Sequence, residues 1–212
     1  MSARLAPRWR SYNRRFMRDV HQLLALGYAD VRAQITDNHE EEDITGLVVQ
    51  AIKARQDLGQ FPRYFITETS PVQNGERLGK RRREIDILVE CSFGCPRPHF
   101  VFEAKRLKVP GHPIGDYMGA EGLLCFIQGK YASDCKVAGM VGYVQSHKPD
   151  RWYGELSRRF QSDTTGVLNT VESLSQITID PGLEHEWVSE HTRNDGTSIT
   201  IYHILLVCHH SD

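Results

Sequence analysis

Two apolar-rich segments lie close together near the middle of the chain: EIDILVE at residues 84–90 and HFVFEAK at residues 99–105. Their Ile, Val and Phe content is typical of β-strands, and the eight residues between them are enough for a hairpin turn. If the turn is centred in that break, the register of the hairpin is fixed. The predicted opposing pairs are then Asp86 with Glu103, Glu84 with Lys105, and Ile87 with Phe102.

Successive side chains of a strand point to opposite faces, so this register sorts the hairpin into two faces. One face is wholly apolar and is predicted to carry Ile85, Ile87, Val89, Phe100, Phe102 and Ala104. The other face is predicted to carry Glu84, Asp86, Leu88, Glu90, His99, Val101, Glu103 and Lys105. A slip of one residue would turn Asp86 or Glu103 into the apolar face, where burial penalises a carboxylate.

The pairing of Asp86 with Glu103 indicates a cation site. Directly opposed carboxylates lie about 5 Å apart and repel each other unless a positive charge sits between them. Mg²⁺ takes oxygen ligands and commonly binds through one or two carboxylates together with substrate phosphate. Lys105 shares their face and adds a fixed positive charge, an arrangement suited to cleaving phosphate esters. The alternative is a solvated face with ordinary surface ion pairs, but the apolar segments that follow favour a covered sheet.

Asp86, followed by Glu103-Ala104-Lys105, resembles the signature of the PD-(D/E)xK nuclease superfamily. The resemblance covers roughly residues 36–145, although Ile85 stands where a proline is usual. It implies an α/β, restriction-endonuclease-like fold, with a mixed central β-sheet flanked by helices. It further implies a catalytic site with Mg²⁺ as cofactor, for which Mn²⁺ can substitute. The carboxylates of Asp86 and Glu103 and the main-chain carbonyl of Ala104 would bind the metal.

Residues 39–52 predict a helix that supplies a further acid. The helical apolar stripe consists of Ile44, Leu47, Val48, Ala51 and Ile52. Asp37 or Asn38 is expected to cap this helix, and the acids of its first turn suit the helix dipole. Glu40 and Glu41 lie four and three residues before Ile44, so they can point towards the sheet. The superfamily resemblance favours Glu41 as the additional catalytic and metal-binding acid, with Glu40 as the alternative.

Residues 114–132 have Leu123, Leu124, Ile127 and Tyr131 at helical spacing, and the apolar run at residues 137–144 is typical of a buried strand. Together they predict a strand, helix, strand crossover, which makes the sheet mixed. Gln128 faces much the same way as this stripe. It resembles a glutamine that some branches of the superfamily place near the active site, and a surface position is the alternative.

The chain is expected to divide into an N-terminal basic amphipathic helix at residues 1–30 and a single nuclease domain at residues 31–212. The domain has a core at about 36–145 and a C-terminal helix and β-hairpin at 150–212. The helix is basic because it contains Arg4, Arg8, Arg10, Arg14, Arg15 and Arg18, and we expect it to end near Gly27. The hairpin strands are predicted at residues 184–189 and 197–208, joined near Asn194-Asp195-Gly196.

A net charge of −1 means that affinity for a nucleic acid must come from local patches. The basic residues that lead into the first hairpin strand are expected to contact phosphates: Lys80, Arg81, Arg82 and Arg83. The expected partner is DNA, with RNA left open, and a homodimer is expected because many members of the superfamily cut both strands as dimers. Five scattered cysteines and the lack of a membrane-length apolar run favour a cytoplasmic protein without a membrane partner.

Zinc at the end of the first hairpin, held by Cys91, Cys95 and His99, is disfavoured because a second matching pair of ligands is missing from the spacing. The function expected from the resemblance is a DNA endonuclease in bacterial or phage defence, restriction or repair. The alternative is a catalytically silent module on the same fold that binds nucleic acid or protein. Degenerate members usually lose one of Asp86, Glu103 and Lys105, and the retention of all three favours the enzyme.

Overall fold

The structure is a computed structural model that describes residues 6–71, 84–94 and 96–209. Five helices and seven strands lie within these ranges. In chain order they are α1 (Ala6–Val31), α2 (Glu41–Asp57), β1 (Tyr64–Pro71), β2 (Glu84–Cys91), β3 (His99–Leu107), α3 (Ile114–Met118), α4 (Leu123–Ile127), β4 (Val137–Val144), α5 (Pro149–Gln161), β5 (Thr170–Gln176), β6 (Glu186–Thr192) and β7 (Ser198–Val207).

All seven described strands form one sheet, in the order β1-β2-β3-β4-β7-β6-β5. The pairs β3–β4 and β4–β7 are parallel and the other pairs are antiparallel, so the predicted mixed sheet is confirmed. The predicted C-terminal hairpin is formed by β6 and β7, and it extends the central sheet through the pairing of β7 with β4.

The hairpin of β2 and β3 has the predicted register from Ile87–Phe102 to Glu90–His99. The ladder does not continue to Asp86 and Glu103. Instead, the carboxylate of Asp86 accepts a hydrogen bond from the main-chain N–H of Ala104 at 2.6 Å. The strands therefore separate at the predicted carboxylate pair.

Side chains pack on both faces of this sheet. The face under α1 and α2 includes Ile87, Val89, Phe100, Phe102 and Ala104, as predicted. The prediction is wrong for Ile85, which packs in the opposite core with α3, α4 and α5. Ile85 lies beyond the paired part of the hairpin, because the β2–β3 ladder ends at Ile87.

The first two helices pack on one face of the sheet. In α1 the stripe Phe16, Val20, Leu23, Leu24 and Ala25 is buried as predicted, and the helix continues past Gly27 to Val31. In α2 the N-cap is Glu40, not Asp37 or Asn38. Glu40 takes this role because its main-chain N–H donates to the carboxylate of Asp43, three residues on, in a capping box.

The crossover between β3 and β4 contains two five-residue helices, α3 and α4, where a helical stripe was predicted across residues 114–132. Gly122 explains the break. A Cβ at this position would lie 2.2 Å from the carbonyl oxygen of Tyr117, so the chain can turn this closely only without a side chain. Among the described residues, no helix combines the length and the apolar character needed to cross a membrane.

Candidate active site

The candidate site lies where β2 and β3 separate, beneath the first turn of α2. Three elements contribute charged side chains: Asp86 from β2, Glu103 and Lys105 from β3, and Glu41 from α2. Asp86 is pinned by its bond to the Ala104 amide, which would otherwise lack a ladder partner at the end of the hairpin. The strand separation thus creates both the space for the site and the hydrogen bond that orders it.

Lys105 is at the centre of this cluster. Its ammonium donates to Glu41 Oε1 at 2.8 Å, to Glu103 Oε1 at 2.9 Å and to the carbonyl oxygen of Ala104 at 2.6 Å. The three oxygens come from different parts of the chain and converge on one positively charged atom. They are also three of the four ligands predicted for the metal, so the geometry of a cation site is present.

The two adjacent acids at the start of α2 have different partners on β3. Glu41 points into the cluster, and its second oxygen accepts from the main-chain N–H of Arg106 at 3.0 Å. Glu40 also points towards β3, but its carboxylate pairs with the guanidinium of Arg106. Both acids reach the sheet as predicted, and Glu41 is the one that contacts Lys105.

The cluster carries more negative than positive charge, because Glu41, Asp86 and Glu103 surround the single ammonium of Lys105. Burial raises the pKa of Asp86 from 3.8 to about 6, against the opposing effects of Lys105 and the Ala104 amide. Burial and then the charge of Asp86 hold the pKa of Glu103 well above its usual range. Burial lowers the pKa of Lys105, but the carboxylates of Glu103, Glu41 and Asp86 outweigh it, so this pKa is raised.

One atom of the cluster lacks a partner. Glu103 Oε2 is buried and accepts no hydrogen bond from any residue that the structure describes, while the Glu103 side chain is 4% exposed. A buried carboxylate oxygen without a partner is costly unless something outside the chain completes it. The donors are carboxylates and a carbonyl, the oxygen ligands that hard divalent ions prefer. The residues therefore fit Mg²⁺ in both charge and ligand type.

A second group of residues, which was not predicted from the sequence, fixes the start of the helix that carries Glu41. Arg106 is buried and donates from Nε to Gln145 Oε1 at 2.7 Å. Gln145 in turn donates to the carbonyl oxygens of His39 and Thr36, at 2.8 and 3.3 Å. This chain of bonds fixes the residues that precede α2, and so it positions the acid that begins the helix.

A signal for this group was present in the sequence. Gln145 follows the buried strand β4 directly, and the ends of parallel strands meet at one edge of a sheet. Arg106 is the residue after the lysine of the motif. Neither residue belongs to the superfamily signature, so the signature does not predict a role for Gln145 or Arg106. A further anchor, the bond between Thr45 Oγ1 and Tyr143 Oη at 2.9 Å, ties α2 to β4 and leaves no pattern in the sequence.

One predicted residue does not join the cluster. Gln128 is the C-cap of α4, and its side-chain oxygen accepts a hydrogen bond from the ammonium of Lys130, not from a residue of the site. The basic residues Lys80, Arg81, Arg82 and Arg83 lie outside the described residues. Their predicted contact with phosphates stays a prediction.

No family model, curated protein or solved structure matches this chain. The resemblance to the nuclease superfamily therefore rests on Asp86, on Glu103-Ala104-Lys105 and on Glu41. These residues gather three carboxylates, a main-chain carbonyl and the lysine ammonium into one cluster.

Proposed function

We propose that the chain is a metal-dependent nuclease of the PD-(D/E)xK type, on a restriction-endonuclease-like fold, that hydrolyses phosphodiester bonds in DNA. The observation that carries this proposal is the convergence of Glu41, Glu103 and the Ala104 carbonyl on the ammonium of Lys105, with Asp86 pinned beside them. An acidic cluster with an internal lysine is costly to fold and has a clear use at a phosphate-cleaving site.

Mg²⁺ is the proposed cofactor, with Mn²⁺ able to substitute, and its ligands would be Asp86, Glu103, Glu41 and the Ala104 carbonyl. When bound, the metal supplies positive charge to the scissile phosphate and lowers the pKa of water. The unpartnered Oε2 of Glu103 supports this assignment, because it is an acceptor that the chain itself leaves unused.

The side chains of the site have distinct roles in the proposed reaction. Lys105 has a raised pKa, so it keeps its proton and acts as a fixed positive charge that donates to a phosphate oxygen or orients the attacking water. Glu41 is held by Lys105 and the Arg106 amide, and Asp86 by the Ala104 amide, so both carboxylates are ordered before substrate arrives.

DNA is the proposed substrate and a homodimer the proposed assembly, with a role in defence, restriction or repair. The basic residues 80–83 precede β2, the strand that carries Asp86, so they are close to the site along the chain. Neutralising phosphates on either side of the scissile bond would give binding that weakens steeply with salt.

The decisive experiment measures cleavage of supercoiled and linear DNA with Mg²⁺, Mn²⁺ or EDTA. Wild type is compared with Glu41→Gln, Glu103→Gln and Lys105→Ala. The matched control is Glu42→Gln, because Glu42 neighbours Glu41 on the same helix but is exposed to solvent. We expect metal-dependent cutting that falls by about 10²–10³-fold in each site variant, the scale of losing one preorganised charge, and only slightly in the control.

Cutting that persists in all three site variants would contradict the proposal. If every form binds DNA and none cuts DNA or RNA, the chain is the catalytically silent module instead. Cleavage of RNA but not of DNA would keep the site and change the substrate.

A further inference from the structure

A second cluster of metal-binding side chains lies at the opposite end of β3. His99 is the first residue of this strand, and Asp134 and Cys135 lie shortly before β4 begins at Val137. Because β3 and β4 are parallel neighbours, their starts lie at the same edge of the sheet. The topology thus brings together residues that are 36 positions apart in the chain.

One potential ligand atom from each of the three side chains lies within 4.8 Å of the other two, as around a single bound ion. His99 Nε2 lies 2.9 Å from Cys135 Sγ and 3.4 Å from Asp134 Oδ2, and the thiol lies 3.8 Å from Asp134 Oδ1. Zinc bound at ordinary lengths to nitrogen, sulfur and oxygen holds such atoms about 3.4–3.6 Å apart. The separation between His99 Nε2 and Cys135 Sγ would need to open by about 0.6 Å to hold such an ion.

We infer that His99, Asp134 and Cys135 form a binding site for a zinc-like transition-metal ion. A thiolate with an imidazole and a carboxylate is a ligand set that suits zinc and does not suit Mg²⁺. The Cys135 side chain is buried, whereas the Asp134 side chain is 72% exposed and the His99 side chain is 30% exposed. The fourth position faces solvent, so water or an external ligand completes the coordination.

The spacing of Cys91 and Cys95 disfavours these two cysteines as zinc partners of His99, because it lacks a second pair of ligands. The partner cysteine is instead Cys135, from the loop before β4. Only the parallel pairing of β3 with β4 brings it within reach of His99.

This site is separate from the proposed nuclease site. His99 and Glu103 are four residues apart on one strand, or about 13 Å at the usual rise of a β-strand. The two sites also differ in chemistry, since the carboxylate cluster contains no sulfur. A signal that requires a thiolate therefore reports on the second site alone, whether or not the chain cleaves DNA.

Cobalt titration of the reduced full-length protein tests the inference, because a thiolate bound to Co²⁺ gives a charge-transfer absorption in the near ultraviolet. We expect this band to saturate at one Co²⁺ per chain and to disappear when Zn²⁺, the tighter-binding ion, is added. Cys135→Ser should abolish the band. Asp134→Asn should weaken Co²⁺ binding by at least about tenfold, and its exposed position makes misfolding a minor concern.

Two controls separate the alternatives. Cys208→Ser removes another buried thiol and should leave the band intact, as should Glu103→Gln, which affects only the carboxylate cluster. A wild-type protein without the band, or a band that survives in Cys135→Ser, would overturn the inference. An unchanged Co²⁺ affinity in Asp134→Asn would remove the carboxylate from the ligand set and leave too few ligands for a site.

Discussion

Two clusters of polar side chains lie on the same sheet, and they differ in net charge and in how completely their atoms are hydrogen-bonded. The cluster of Glu41, Asp86, Glu103 and Lys105 carries excess negative charge and leaves Glu103 Oε2 without a partner. The second cluster, which we call the histidine network, consists of Tyr117, Ser189, His191 and His203. It lies on the β6–β7 side of the sheet and carries no unsatisfied atom among the described residues.

The histidine network has one consistent arrangement of hydrogens. The Leu168 carbonyl can only accept, so His191 Nδ1 donates to it and His191 Nε2 accepts from Ser189. Ser189 then accepts from His203 Nε2, and His203 Nδ1 accepts from the Tyr117 hydroxyl, whose hydrogen is shared with the Met140 carbonyl. Every ring is neutral in this arrangement, in agreement with the lowered pKa values of His191 and His203.

The comparison contrasts a structural network with the proposed functional site. A satisfied, neutral network specifies the packing of one end of the sheet. An over-charged cluster with an orphaned oxygen lowers stability, and it is retained where its strain serves binding or catalysis. Substitutions in the two clusters should therefore change stability in opposite directions.

The largest stability effect is expected from Ser189→Ala. This change leaves His191 and His203 each with an unpaired buried nitrogen, at a cost of about 1–3 kcal/mol per group. Urea unfolding should show a loss of roughly 2–5 kcal/mol, and Ser198→Ala, at an exposed serine, serves as the matched control. Equal stabilities of the two variants would mean that the network contributes little.

Mg²⁺ should have the next largest effect on the free energy of unfolding, and this effect should depend on the carboxylate cluster. At a metal concentration about 100 times the dissociation constant, the free energy of unfolding should rise by about 2.7 kcal/mol. We expect this gain in wild type and in Ser189→Ala, and its loss in Glu103→Gln. An equal gain in Glu103→Gln would place the ion elsewhere on the chain.

The two clusters should also respond to acid in opposite directions. Burial lowers the pKa of His203 to about 3, so only the unfolded chain takes up its proton as pH falls below about 6.5, and stability is lost. The pKa of Asp86 is instead raised to about 6, so the folded chain takes up its proton first, and stability is gained as pH falls from about 6 towards 3.8.

Replacing Asp86 should therefore expose the histidine contribution. In metal-free buffer, acidification from about pH 7 to 4.5 should destabilise Asp86→Asn more than wild type, by on the order of 2 kcal/mol. His203→Gln should be destabilised less than wild type over the same range. Identical pH profiles for wild type and Asp86→Asn would show that Asp86 titrates as an ordinary surface carboxylate.

The smallest effect is a gain in stability. Glu103→Gln removes the cost of burying an ionisable carboxyl beside Asp86, so metal-free protein should become more stable by about 1 kcal/mol while cleavage is lost. Urea unfolding in EDTA measures the change. A clear loss of stability would mean that the bond between Glu103 and Lys105 outweighs the repulsion, and that this cluster is structural like the histidine network.

Much of the candidate site could be predicted from the sequence, because the positions of its residues follow from strand alternation and helical spacing. The register of β2 and β3 follows from apolar alternation, and it placed Asp86, Glu103 and Lys105 in one neighbourhood. The reach of Glu40 and Glu41 towards the sheet followed from their distance to Ile44 along a helix. The bond from the Ala104 amide to Asp86 could not be predicted, because it depends on where the two strands separate.

The sequence by itself determined the local elements: the central hairpin, the helix that begins at Glu41, the buried strand β4 and the hairpin of β6 and β7. Side-chain periodicity and turn residues act over a few positions, so they are visible in any short window. Only the tertiary structure decided the strand order and the contacts that follow from it. Gln145 with Arg106, His99 with Cys135, and the histidine network all join residues that are distant in sequence. Such contacts arise from non-local strand pairing, which leaves no periodic signal in the chain.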